Sequence, residues 1–107
     1  MKKIEIVCPA VKLEFLKNAI YNFDVGGFLV SNITGIGLVR GPEKEKGIKY
    51  VELPKIKVEF VIKDESLERV VSSITKILRT GSVGDGKIFV YPADNVIRIR
   101  TGEDKAV

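Results

Sequence analysis

The stretch Arg79-Thr80-Gly81-Ser82-Val83-Gly84-Asp85-Gly86-Lys87-Ile88-Phe89-Val90 places three glycines and a lysine at the joint between a helix-like run and an apolar, strand-like run. Glycine backbone can turn successive N–H groups toward one anion, and Lys87 adds a full charge at the edge of such a nest. Further on, Arg98 and Arg100 occupy alternate positions of Val96-Ile97-Arg98-Ile99-Arg100-Thr101. On a strand that spacing puts two guanidinium forks on one side, a donor pattern suited to phosphate oxygens. Two plainer readings stay open at this level: a glycine-rich helix C-cap for the loop, and an exposed strand face paired with acids for the arginines. The G-x-x-G-x-G spacing is not specific. A P-loop or dinucleotide fingerprint runs from strand to helix, whereas this loop follows a helix C-terminus, whose dipole repels phosphate.

Other chemistries are narrowed by what the chain lacks. It contains no histidine, which removes the usual general base and the commonest zinc ligand, so hydrolytic triads and zinc sites are set aside. Its single cysteine, Cys8, cannot form an internal disulfide and falls in the alternation Ile4, Ile6, Cys8 of a buried strand. With 107 residues, 45% hydrophobic and 30% charged, the chain fits one globular domain and has no run long enough to span a bilayer. Acidic Glu5 and the early Pro9 interrupt any signal-peptide pattern, so a cytoplasmic location is expected. A net charge of +4 permits nucleic-acid binding, but the basic residues are interleaved with acids and the aromatic residues lack the spacing of a stacking platform. No nucleic-acid partner is expected.

The elements that must position the loop follow from periodicity. Residues 3–8 alternate as a strand, and Leu13, Leu16, Ile20 and Phe23 recur at helical spacing until Gly26-Gly27. Residues 28–36 read as a strand. In 55–63, Ile56, Val58, Phe60 and Ile62 share one face opposite Lys55, Lys57 and Glu59. Between these strands, Gly37 to Pro54 reads as an exposed loop punctuated by Gly41-Pro42 and the charged run Glu43-Lys44-Glu45-Lys46. Asp64 is placed to cap a second helix with the stripe Leu67, Val70, Val71, Ile74, Ile77 and Leu78, acids at its start and Lys76 and Arg79 at its end. A strand over 87–91 and another over 96–101 complete an α+β, ferredoxin-like βαββαβ sandwich with an extra C-terminal strand.

With these residues in view, the chain is identified as a member of the PII signal-transduction proteins, the nitrogen regulatory protein P-II family. Thr80 to Val90 resembles the family's nucleotide-binding B-loop (80–87) without a gap, and Val96 to Glu103 resembles the start of its C-terminal loop (98–107). The likeness also covers Met1-Lys2-Lys3-Ile4-Glu5, Lys12-Leu13, Gly35-Ile36-Gly37 and Leu53 to Glu59 within a single domain, 1–107. It implies a homotrimer with ATP or ADP, and AMP as a further candidate, in each cleft between neighbouring subunits. Gly35, Ile36 and Gly37 would border adenine and ribose, and Val61 would help wall the base. Thr80, Gly84, Asp85, Gly86 and Lys87 would meet the phosphates, with Arg98 and Arg100 arriving from the adjacent subunit.

The family's T-loop corresponds to about 38–53, and here the sequence departs. The loop is a few residues shorter than in well-known members, and the glutamine that ligates Mg²⁺ together with 2-oxoglutarate is replaced by Val39, preceded by Leu38. The valine side chain offers no lone pair to a metal, so Mg²⁺ would have to take a water in that place, its link to the loop is lost, and no metal site of the protein's own is expected. Lys55 matches a lysine that contacts 2-oxoglutarate in the family, Arg40 matches a basic loop residue, and Tyr50 is the candidate for the family's modified tyrosine. The expectation is a non-enzymatic adenine-nucleotide sensor acting through this loop on a target protein, a membrane transporter or a metabolic enzyme. Its alternatives are a classical nitrogen-regulatory sensor of 2-oxoglutarate, and a weak ATPase in which Asp85 or Glu103 orients water.

Overall fold

The computed structural model describes residues 1–40 and 48–107; Gly41-Pro42 and Glu43-Lys44-Glu45-Lys46 lie outside the described residues. The order is β1 (Lys2–Pro9), α1 (Leu13–Tyr21), β2 (Leu29–Arg40), β3 (Ile48–Ile62), α2 (Leu67–Leu78) and β4 (Lys87–Pro92), with short 3-10 turns at Ala10–Lys12 and Asp64–Ser66. The strands form one antiparallel sheet in the order β2-β3-β1-β4, as expected of a ferredoxin-like α+β domain. Alternation decides the packing. Ile4, Ile6 and Cys8 of β1 and Ile56, Val58, Phe60 and Ile62 of β3 are buried against Leu16, Ala19 and Ile20 of α1, Phe23 just beyond it, and Val70, Ile74 and Leu78 of α2. Burial raises the Cys8 thiol's pKa, with Lys55 and Lys12 opposing, so the cysteine is a core residue, as its place in the alternation predicts.

The register places Lys3, Glu5 and Val7 of β1, Lys57, Glu59 and Val61 of β3, and Lys87, Phe89 and Tyr91 of β4 on the other face, which neither helix covers. Lys3 Nζ lies 2.9 Å from Glu59 there, raising the lysine's pKa and lowering the glutamate's. No helix among the described residues is long and apolar enough to cross a membrane.

Four local expectations change. Of the stretch read as a loop from Gly37 to Pro54, the described residues are β-structure: the β2–β3 ladder continues from Gly35↔Leu53 to Arg40↔Ile48 as a two-stranded arm. Such a ribbon satisfies its backbone by cross-strand pairing and buries little, so hydrophobic alternation does not announce it. Pro54 sits just past the last β1–β3 pair, Pro9↔Lys55, where β3 has lost a neighbour and a missing N–H is tolerated. The first helix stops at Tyr21, ahead of the glycines, because Asp24 turns the chain at φ 63. Asp64 opens a 3-10 turn instead of capping α2, whose N-cap is Ser66 with no side-chain hydrogen bond.

The fourth change bears on function. The extra C-terminal strand expected over 96–101 does not form; the chain closes on itself. Arg98 N–H donates to Glu103 O at 2.8 Å, Gly102 N–H to Arg98 O at 2.8 Å, and Ala106 N–H to Val96 O at 3.0 Å. These bonds satisfy the backbone within the segment, and the strict alternation of Arg98 and Arg100 is lost, Arg100 falling in the turn.

Candidate functional site

Helix α2 ends at Leu78, and Arg79 leaves it in an extended conformation, φ −70 and ψ 123. The loop from Thr80 to Gly86 then folds back to β1. Gly84 and Gly86 have φ of 104 and 106, on either side of Asp85, an alternation of backbone hand that turns neighbouring N–H groups toward one side. Gly86 lies directly on the strand: a Cβ there would stand 1.9 Å from the Val7 carbonyl oxygen. Lys87 follows as the first residue of β4, opposite Val7.

A cavity of about 500 Å³ opens beside this loop. Gly35, Ile36, Gly37 and Leu38 of β2 and Lys55 of β3 form one wall, and Gly84, Gly86 and Lys87 form the other. The stem of Lys55 crosses Gly35, where an added Cβ would come within 2.9 Å of its Cγ, and its Nζ donates to the Gly84 carbonyl at 2.7 Å. Two lysines therefore border a cavity whose remaining lining, from Val7, Val51, Leu53, Val83 and Phe89, is largely apolar. This suits a ligand with a flat apolar part and an anionic part. The sequence reading missed Val7; its place opposite buried Ile6 and Cys8 in the β1 alternation was the available signal.

The other expected residues lie elsewhere. Val61 and Arg98 line a second cavity of about 440 Å³ with Val25 to Leu29 and Glu59. Along the β2–β3 ladder this is six residues from the first, Glu59 pairing with Leu29 and Leu53 with Gly35, which is about 20 Å of strand. Arg98 is paired there with Glu103, Nη1 to Oε1 3.1 Å. Arg100 lines neither cavity. Tyr50 is exposed on the arm, opposite Leu38, and Arg40 ends β2 opposite Ile48. Thr80 and Asp85 do not line the first cavity: the Asp85 carboxylate accepts from the Thr80 amide at 2.7 Å, the Gly81 amide at 2.9 Å and the Thr80 hydroxyl.

A family model described as Nitrogen regulatory protein P-II matches residues 1–103. The Nitrogen regulatory protein P-II of Azospirillum brasilense is 42% identical over 106 residues, covering 96% of this chain and 95% of the relative. That of Nostoc punctiforme is 45% identical with the same coverage. Among solved structures, B. subtilis GlnK superimposes with a TM-score of 0.82 at 36% identity, covering 98% of this chain and 95% of GlnK. The B. subtilis GlnK–ATP complex matches with the same TM-score and identity over 96% of this chain and 90% of that one.

Proposed function

The chain belongs to the nitrogen regulatory protein P-II family, and on that premise we propose that it is a cytoplasmic signalling protein that binds ATP or ADP and reports the bound nucleotide to a target protein through the β2–β3 arm. AMP competes for the same cavity. The observation that carries this reading is the cradle of Gly84, Gly86, Lys55 and Lys87 at the root of that arm. The same cavity is walled by Ile36, Leu38, Val51 and Leu53, which belong to the arm or its base, so a ligand filling it bears directly on the arm. Signalling then requires only that ATP and ADP differ in affinity for two arm positions.

A homotrimer completes the site. Val61 and Arg98 stand too far from the glycine loop to serve the same nucleotide within one chain, but a neighbour can bring its second cavity to the first. The uncovered sheet face, with Val7, Phe89 and Tyr91, supplies the apolar contact for that neighbour. Arg100 reaches the phosphates by the same route. A resident activity toward ATP is not part of this function: the two carboxylates suited to orienting water are engaged, Asp85 by Thr80 and Gly81 and Glu103 by Arg98.

Two measurements test the reading. Lys87→Ala is expected to weaken ATP binding by about 1.5–3 kcal/mol in calorimetry, the loss of a charge-assisted hydrogen bond. Light scattering is expected to give the mass of three chains of 11.9 kDa each. Unchanged ATP affinity in the variant removes the cradle, and a monomeric mass at micromolar concentration removes the shared cleft.

The acid sensed by classical relatives is expected to be ignored. The residues do not fit Mg²⁺-linked 2-oxoglutarate: the Val39 side chain provides no ligand atom, and Lys55, with one ammonium N–H already given to the Gly84 carbonyl, brings charge but no metal ligand. Arg40 alone does not replace the missing oxygen. Calorimetry is therefore expected to show no tight 2-oxoglutarate binding to the ATP-loaded protein and no change in ATP affinity. Reciprocity makes either titration sufficient, and micromolar binding that requires Mg-ATP overturns this expectation.

A further inference from the structure

The glycine loop is a partition between two cavities. On one side lies the cradle bordered by Lys55 and Lys87; on the other, a separate cavity of about 320 Å³ between α2 and the start of β4 is lined by Thr75, Arg79 and Asp85. Asp85 therefore faces away from the cradle that its flanking glycines line. Its carboxylate oxygens accept from both donors of Thr80 and from the Gly81 amide, closing the loop from its far end, while Lys55 holds Gly84 from the near end. Thr80 Oγ1 in turn accepts from the Ser82 amide at 3.2 Å, extending the brace along the loop.

We propose that Asp85 is a positioning residue for nucleotide binding, its carboxylate a brace that shapes the glycine loop from behind through Thr80 and Gly81 and itself touches no phosphate. The inference rests on the nucleotide reading above and concerns how its loop is held. A carboxylate placed among phosphates repels them; one turned behind the loop leaves its charge to N–H donors and to the cations near it, Arg79 and Lys87 lining the same cavity and Lys12 acting from the turn before α1. The Thr80 hydroxyl first and then the Thr80 amide hold the Asp85 carboxyl below the usual carboxylate range; burial opposes them, and Gly81 and Lys12 add lesser lowering effects. It is thus ionised, the form that accepts all three bonds, throughout the neutral range. With those bonds made, Gly84 and Gly86 present their backbone without an ordering cost when the ligand arrives.

The sign of the mutational effect separates a brace from a phosphate contact. Asp85→Ala is expected to lower ATP affinity by at least about tenfold, the scale of lost hydrogen bonds to a charged group. Asp85→Asn is expected to stay within about threefold of wild type, because the amide oxygen still accepts from both N–H groups and its NH₂ donates to Thr80 Oγ1. Thr80→Val, which removes only the hydroxyl, is expected to cost about two- to tenfold and to be rescued by Thr80→Ser, a comparison that holds if Asp85→Ala fails to fold. Hydrogen exchange without nucleotide gives a second readout: the Thr80 and Gly81 amides exchange faster in Asp85→Ala and remain protected in Asp85→Asn. ATP binding as tight or tighter in Asp85→Ala, equal losses in Asp85→Asn and Asp85→Ala, unchanged affinity in Thr80→Val, or unchanged exchange at Thr80 and Gly81 each overturn the brace. Wild-type protein that binds no adenine nucleotide overturns the nucleotide reading instead, and the exchange comparison then decides the brace by itself.

Discussion

Gly86→Ala is expected to abolish nucleotide binding while leaving the helix–sheet core folded. Two penalties act at this residue, and neither is relieved by a side-chain rotation. The backbone has φ 106, a conformation that L side chains rarely adopt, and the new methyl carbon would stand 1.9 Å from the Val7 carbonyl oxygen and 2.9 Å from its carbon. Each penalty costs about 1–3 kcal/mol. The core strand β1 is pinned by pairing on both sides, whereas the loop is exposed, so the loop is the part that moves. Lifting it from Val7 displaces Gly84 and Lys87 together, and ATP affinity is expected to fall by at least about thirtyfold, the lower end of the sum of the two penalties. Gly81→Ala is the control: its φ of 87 is also positive, but nothing lies within 4 Å of an added Cβ. Its loss should be the smaller. Thermal melts give the complementary result, since ATP stabilises wild type by linkage and should leave the Gly86→Ala melting temperature unmoved. An alanine variant that binds ATP normally would mean that the loop does not rest on β1 as described.

Ile74→Ala is expected to produce the opposite division, a large loss of stability with little change in the site. Ile74 is 0% exposed at the middle of α2, in the cluster that joins both helices to the sheet. Removing its buried atoms costs the transfer energy and leaves a cavity, about 2–5 kcal/mol together. Urea denaturation should show a lower midpoint with an unchanged slope, and ATP affinity measured well below that midpoint should match wild type. Ile99→Ala is the comparison of the same chemistry at a residue 96% exposed, where a change within about 0.5 kcal/mol is expected for the isolated chain. A larger loss at Ile99 would place that side chain in the contact between subunits, because nothing among the described residues of one chain covers it.

Burial writes itself into periodicity, and that part of the fold could be read from residue types alone. Ile4, Ile6 and Cys8, Ile56 to Ile62, and the α2 stripe through Val70 and Ile74 were legible because a residue packed on one face must be apolar at every second or every third to fourth position. The glycine loop was legible as well, since its three positive-φ positions, 81, 84 and 86, are all glycine. The rest depends on contacts made only in the folded chain. The arm from Ile36 to Arg40 and its partner strand pairs through backbone groups that every residue carries, so its extent left little trace in residue type. Arg98 and Arg100 alternate as strand residues do, yet Glu103 and Val96 supply hydrogen-bond acceptors within reach and the segment turns. Spacing also could not say that the cavity lined by Val61 and Arg98 opens at Leu29↔Glu59, about 20 Å of strand from Gly35↔Leu53, a separation fixed by antiparallel register. Most telling is Asp85, flanked by two glycines of the cradle and still facing away from it, because a carboxylate turns to the nearest uncommitted donors and only the folded loop brings Thr80 and Gly81 to it.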